Sequence, residues 1–314
     1  MSTSAGNSLR IALCQVRVDP DKRVALANAQ HWVERAVQEG AKLVVLPECF
    51  NCPYDTSCFP KYAEPLPRPG TTAAPCDTSV SETAGVLQKL ARAHGIYLVG
   101  GSVPERSPDD QRIYNTSLTF GPGGELLARH RKVHLFDVDV PGGIRFRESD
   151  VLSAGDSLTS FALRDDIDSE PNANAGLRVG VGICYDIRFP EMATAMAREP
   201  HNAKLLIYPG AFNMTTGPAH WELLIRARAL DNQVFVGACS PARDLSATYT
   251  AYGHSMIASP WGEVIARTDE RESLVVADID LNRLEQVRNA IPVRKQRRPE
   301  VYNTAQKAAE NTAT

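Results

Sequence analysis

Three stretches of this 314-residue chain run through apolar residues and stop at a side chain able to take part in acyl transfer. In the first, Leu177-Arg-Val-Gly-Val-Gly-Ile183 leads to Cys184, and a polar segment, Tyr185-Asp-Ile-Arg188, follows at once. A rigid strand end holds such a thiol in place, and the next backbone N–H, that of Tyr185, is free to face a developing oxyanion. In the second, Leu43-Val-Val-Leu-Pro47 delivers the carboxylate of Glu48 from a buried strand, with Pro47 ending the ladder. Desolvation there raises a carboxyl pKa, which suits a general base working near neutrality. In the third, Lys132 lies between Leu126-Leu-Ala-Arg-His-Arg131 and Val133-His-Leu-Phe136. An ammonium is costly to bury unless it is paired, and a paired one can stabilise an oxyanion or a thiolate.

Each residue taken alone has a plainer explanation. An acid after a strand caps the next helix, a lysine beside Arg129 and Arg131 extends to solvent, and most free cysteines are structural thiols. The argument for chemistry is the set: a carboxylate, an ammonium and a thiol in that chain order, each at a strand end.

The elements that must position them alternate between strand and helix almost throughout. Strands are predicted at 9–16, 42–47, 96–101, 114–120 and 126–132, and helices at 19–38 and 82–94, with Gly40 and Gly95 as stops. The Gly121-Pro-Gly-Gly124 run reads as a hairpin turn. After Cys184 a helix is predicted to about residue 198, then a strand at 204–208 and a helix around 220–231. Strands at 233–239, 253–258, 264–267 and 273–278 come next, and a last helix at 281–290. Strands with helical crossovers and two hairpins indicate an α/β layered sandwich with mixed sheets. No internal repeat or long linker divides the chain. The expected organisation is therefore a disordered segment 1–8, one domain over 9–293 and a tail over 294–314. The stretches 66–79, rich in Pro and Thr, and 164–175, acidic and rich in Asn, read as long loops.

Composition narrows the classes. A formal net charge of −3 gives no case for nucleic acid or an anionic membrane, and no apolar run is long enough to span a bilayer. The first ten residues lack an apolar core and carry one arginine, Arg10, so the expected location is cytoplasmic, with a mitochondrial copy left open. Seven cysteines in such a chain read as reduced thiols. Cys49 and Cys52 form a CxxC without a second ligand pair nearby, so loop or core thiols are expected rather than a zinc site. The basic run Arg294-Lys-Gln-Arg-Arg298 is expected to be a solvated or subunit-contact face.

Glu48, Lys132 and Cys184, together with Arg131-Lys-Val-His-Leu-Phe136, Gly182-Ile-Cys-Tyr-Asp-Ile-Arg-Phe-Pro-Glu191 and Pro209-Gly-Ala-Phe-Asn213, resemble the nitrilase (carbon–nitrogen hydrolase) superfamily. The similarity runs from Arg10-Ile-Ala-Leu-Cys-Gln15 to Ile291-Pro-Val293. Phe136-Asp-Val-Asp-Val-Pro-Gly142, Phe146-Arg-Glu-Ser149 and Gly210-Ala-Phe-Asn-Met-Thr-Thr-Gly-Pro218 are most similar to its omega-amidase branch. The resemblance implies a four-layer αββα sandwich, at least dimeric, with no metal and no organic cofactor. It implies a Glu48–Lys132–Cys184 triad, and a second glutamate sixteen residues after the lysine, at Glu148.

The activity implied is hydrolysis of the terminal amide of a short dicarboxylate monoamide, such as 2-oxoglutaramate or succinamate, through a cysteine thioester. The alternatives are an amidase for deaminated glutathione, a carbamoyl hydrolase, and a non-catalytic scaffold of the same fold. A distal carboxylate needs a cationic or multiply hydrogen-bonding clamp. Arg188, Arg226, Arg145 and Lys204 are the candidates, although Arg188 and Arg226 are equally suited to pair with Asp186 and Glu222. His220, Tyr252 and His254 lie in family-matching segments, as core hydrogen-bonding groups or as pocket lining. The loops between 62 and 81 and at 164–175 are longer than the branch usually carries, which leaves substrate range the least determined property.

Overall fold

The computed structural model describes residues 8–70, 80–163 and 177–302. Residues 71–79 of the long loop expected at 66–79 and the whole of that at 164–175 therefore lie outside the described residues, as do residues 1–7 and 303–314. The first half contains β1 (Ser8–Gln15), α1 (Lys22–Gln38), β2 (Leu43–Val45), α2 (Phe59–Tyr62), α3 (Glu82–His94), β3 (Tyr97–Val99), β4 (Val103–Arg106), β5 (Ile113–Phe120) and β6 (Leu126–Arg131). A small hairpin follows, β7 (Asp137–Asp139) and β8 (Arg145–Arg147). The second half contains β9 (Thr159–Leu163), β10 (Leu177–Val181), α4 (Pro190–Met196), β11 (Leu205–Pro209), α5 (Gly217–Asn232) and β12 (Phe235–Cys239). It ends with β13 (Met256–Ala258), β14 (Val264–Arg267), β15 (Ser273–Asp280), α6 (Leu281–Ala290), α7 (Val293–Gln296) and α8 (Pro299–Tyr302).

Two mixed sheets form the centre. One has the order β15-β1-β2-β3-β5-β4 with β6 on the other edge of β5, and the second has the order β14-β13-β12-β11-β10-β9. In each, three parallel strands lie between antiparallel neighbours: β1, β2 and β3 in the first sheet, β10, β11 and β12 in the second.

Side-chain alternation explains the layers, because successive residues of a strand face opposite sides. Ala12, Cys14 and Val44 pack under α1 and α3 with Leu26, Val33, Leu87 and Leu90, whereas Ile11, Leu13 and Val45 face Val179, Val181, Leu205 and Ile207 of the other sheet. On the far side Leu206, Tyr208, Val236 and Ala238 receive Met192 and Met196 of α4 and Trp221, Ile225 and Ala229 of α5. Strands buried on both faces favour apolar residues, and Leu43–Val45 and Leu205–Pro209 read as such continuous apolar runs. The result is the four-layer αββα sandwich.

The expected helix 82–94 has clear ends: the Ser81 side chain accepts from Ala84 N–H, and Gly95 closes it at φ +60°. The boundaries differ from expectation in three places. Ser8 already pairs with Asp280, one residue inside the segment expected to be disordered. The expected tail carries α7 and α8. Finally β4, β7, β8 and β9, short strands of three to five residues, were not separable from loops by periodicity.

Candidate active site

Glu48 lies three residues beyond β2, Lys132 one beyond β6 and Cys184 three beyond β10, so two sheets and three strands contribute. The fold brings these three together with Glu148. Glu48, Lys132 and Glu148 have 0 % of their surface exposed, and Cys184 has 4 %. Lys132 Nζ donates to Glu48 Oε1 at 3.0 Å and to Glu148 at 2.9 Å. Glu48 also accepts from Asn115 Nδ2 at 2.9 Å and, through Oε2, from Ala211 N–H at 2.8 Å, and its charge acts on the neighbouring Cys184 thiol. Glu148 is held by Phe136 N–H at 2.7 Å and by the Tyr54 hydroxyl at 2.6 Å, and that hydroxyl lies 3.5 Å from Lys132 Nζ.

Local backbone delivers the thiol. Ile183 is extended, Cys184 takes the left-handed conformation at φ +46°, and a single 3₁₀ turn, Cys184–Arg188, leads into α4. A non-glycine residue in that region is strained, and such strain persists only where the surroundings enforce it. The backbone after β11 approaches closely: a Cβ placed on Gly210 would lie 3.1 Å from Cys184 Cα and crowd the cysteine backbone.

Two carboxylates share one ammonium, and this governs the electrostatics. Burial pushes Glu48 above its ordinary value, Lys132 opposes that, and the charge of Glu148 adds to it. Burial opposes the Lys132 ammonium, but Glu148 and Glu48 outweigh burial and keep it protonated. Burial, then the Glu48 charge, raises the Cys184 thiol well above its ordinary value despite Lys132. At neutral pH the sulfur therefore keeps its proton, with the Glu48 carboxylate as the charge that acts on it most. The arrangement can generate a thiolate on demand beside a fixed cation.

Two hollows flank this set, with Ala211 and Tyr249 bordering both. On the Cys184 side a narrow cleft is bounded by Phe136, Tyr185, Arg188, Phe212 and Thr216. On the Glu48 side a cavity of about 440 Å³ is lined by residues that include Cys49, Cys52, Tyr54 and Ala242. Among the described residues no group of three or more His, Cys, Asp or Glu side chains is arranged to hold a metal ion.

The sequence-derived candidates separate clearly. Arg188 lines the Cys184 cleft, its guanidinium 4.7 Å from the Phe212 ring centre and 3.1 Å from His220 Nδ1. It does not pair with Asp186, whose carboxylate bonds elsewhere. Tyr185 lies in the same cleft, its ring edge against Phe136. Arg226 instead binds Glu222 and the Gly262 carbonyl on the outer face of α5. Arg145 is 75 % exposed beside Asp139. Lys204 precedes β11, at the opposite end of that strand from Gly210, and faces Glu285. Tyr252 and His254 pack on each other, His254 approaches Glu270, and the His254 carbonyl accepts from Trp221, so neither lines a hollow.

Tyr54, Asn115 and the Ala211 N–H were not anticipated. Asn115 had a signal, as a polar residue in the middle of a wholly buried strand. Tyr54 comes from a loop and Ala211 contributes only backbone, so neither had a sequence signal of its own.

Comparison with known proteins adds three findings. The family model described as carbon–nitrogen hydrolase matches residues 10–289. Curated relatives called omega-amidase NIT2 include one from Xenopus tropicalis, 50 % identical over 298 residues (95 % of this chain, 98 % of the relative), and one from Homo sapiens, 47 % identical over 295 residues (94 % and 97 %). Among solved structures, Saccharomyces cerevisiae Nit3, described as a member of branch 10 of the nitrilase superfamily, superposes with a TM-score of 0.80 at 42 % identity, covering 95 % of this chain and all of that one.

Proposed function

This chain belongs to the carbon–nitrogen hydrolase family, a hydrolase of carbon–nitrogen bonds other than peptide bonds, and from that premise we propose that it is an omega-amidase working through Glu48, Lys132 and Cys184. One observation carries the assignment of roles: a single buried carboxylate, Glu48, binds the ammonium and lies close enough to the thiol for its charge to raise the thiol's pKa. Glu48 takes the proton of Cys184, and the thiolate attacks the amide carbon. The oxyanion is held by Lys132 Nζ and by Tyr185 N–H, preorganised donors worth about 3 kcal/mol each in the transition state. Protonated Glu48 then gives its proton to the departing ammonia, leaving a thioester. Water, deprotonated by the same carboxylate, releases the acid and restores the thiol. Glu148 orients Lys132 and is itself fixed by Tyr54 and Phe136 N–H.

The substrate is a short dicarboxylate monoamide, 2-oxoglutaramate or succinamate. Arg188, in the cleft beside Cys184, is the cation suited to the distal carboxylate, and Thr216 lines the same cleft. Replacing Arg188 by Met is expected to raise KM for succinamate about tenfold or more while leaving the neutral amide butyramide nearly unaffected. Equal losses on both amides would remove Arg188 from that role. The function itself is tested by ammonia release across dicarboxylate monoamides, together with Cys184→Ala. Wild-type rates in that variant would overturn it.

A second reading, an amidase for deaminated glutathione, gains support from the roomy cavity on the Glu48 side. Glu48 protonates the leaving nitrogen, so a large leaving group would depart there. Side-by-side kcat/KM values for 2-oxoglutaramate and deaminated glutathione separate the two readings, and preference for the second would displace the omega-amidase assignment.

A homodimer fits the exposed apolar residues Leu223 (65 %) and Leu230 (54 %) of α5 and the adjoining Trp261 (45 %). Leu223→Glu should shift sedimentation toward monomer. Free thiols at all six described cysteines support a reducing compartment, the cytoplasm, which fractionation can test against mitochondria.

A further inference from the structure

Asp186, two residues past the thiol, is wholly buried, and its carboxylate accepts from three residues on two stretches of chain. Oδ2 accepts from Ile183 N–H at 2.8 Å and from His130 Nε2 at 3.2 Å. Oδ1 accepts from His134 N–H at 2.9 Å and from His134 Nδ1 at 2.8 Å. Asp186 N–H in turn donates to the Ile183 carbonyl at 3.0 Å. The strained Cys184 and the Tyr185 N–H are thereby enclosed in a loop closed at both ends. His130 and His134 stand two residues before and two after Lys132. The histidines are secured as well: His134 stacks on Phe189 with ring centres 3.5 Å apart, and His130 Nδ1 lies 3.0 Å from Thr159 Oγ1. Neutral imidazoles satisfy every bond, His134 donating through Nδ1–H and His130 through Nε2–H while its Nδ1 accepts from Thr159.

We propose that Asp186 is a positioning residue for amide cleavage: it joins the cysteine turn to the chain on both sides of Lys132 and so fixes the Lys132 ammonium and the Tyr185 N–H relative to the thiol. The inference rests on the roles assigned above to Cys184, Lys132 and Tyr185. Either donor works only when it is already aimed at the developing oxyanion, since a misplacement of about 1 Å costs orders of magnitude in rate. Glu48 also reaches both stretches, but through the reacting side chains themselves, whereas Asp186 ties the Ile183 and His134 backbone N–H groups to one buried carboxylate. An amide in place of the carboxylate cannot accept at both ends, because its NH₂ would face a backbone N–H or an imidazole donor.

The test begins with wild-type turnover of succinamate, since an inactive wild type would defeat the omega-amidase reading before any variant is compared. Given an active wild type, Asp186→Asn should lower kcat about 100-fold with KM within about threefold, and iodoacetamide should still alkylate Cys184. Should Asp186→Asn fail to fold, the partly exposed His134 decides. His134→Leu should lower kcat about tenfold, and His134→Gln, which keeps an N–H donor, should recover most of that loss at similar Tm. Wild-type kcat in a folded Asp186→Asn, or equal losses in His134→Leu and His134→Gln, would overturn the proposal.

Discussion

Glu48 and Asp186 are the same kind of group, equally buried and on either side of the same reacting centre, yet their acidities are displaced in opposite directions. Burial acts to raise both. For Asp186 the hydrogen bonds from His130 and His134 and from the Ile183 N–H overcome burial and hold the carboxyl far below the usual range. Glu48 is as well supplied with donors, but the one cation beside it is shared with Glu148, and the nearby negative charge makes a proton on Glu48 easier to carry. The difference teaches that the number of hydrogen bonds does not decide whether a buried carboxylate is structural or chemical. What decides it is whether a second negative charge stands beside it. A carboxylate whose donors serve it alone anchors the chain, and one that shares its cation with another carboxylate can pass a proton.

The largest effect should follow from abolishing the proton acceptor. Glu48→Gln is expected to lower kcat by about 10⁴-fold, in acylation and deacylation alike. A substrate thioester that forms quickly in this variant, seen by mass spectrometry, would place the acylation base elsewhere. Next, Glu148→Gln should cost about 100-fold in kcat and should also move the acid limb of kcat/KM. The sign follows from the shared cation. Activity needs Glu48 ionised, so rate is lost as pH falls through its raised pKa. Removing the Glu148 charge leaves Lys132 to Glu48 alone, which lowers that pKa, so the limb should move to lower pH. A limb that stays put would show that the two carboxylates do not compete for Lys132. The smallest effect belongs to the Asp186 side: Thr159→Val removes one outer support of His130 and should reduce kcat by no more than about threefold. A loss as large as that of Glu148→Gln would erase the contrast.

Much of this was legible in the sequence, for reasons that can be named. Glu48, Lys132 and Cys184 each follow a strand, and strands buried on both faces produce unmistakable apolar runs such as Leu43–Val45. The layers followed from the alternation of those strands with α1, α3, α4 and α5. What periodicity could not reach was direction. Arg188 and Arg226 look alike as cations near family-matching segments, yet the 3₁₀ turn after Cys184 points one into the cleft, while α5 sets the other against Glu222 at the surface. Lys204 was misleading because a strand has two ends, and only its far end approaches Cys184. Asp186 reads in the sequence as a neighbour of the cysteine and a partner for Arg188. Its partners His130 and His134 lie some fifty residues away in the chain, a pairing that no local pattern encodes.

The central claim is that Cys184 carries the acyl group. Wild-type protein quenched during turnover of succinamate and digested should show a succinyl thioester on the peptide that contains Cys184, absent from Cys184→Ala, which should also be inactive. Steady turnover with no adduct on that peptide, or turnover that survives Cys184→Ala, would contradict the account.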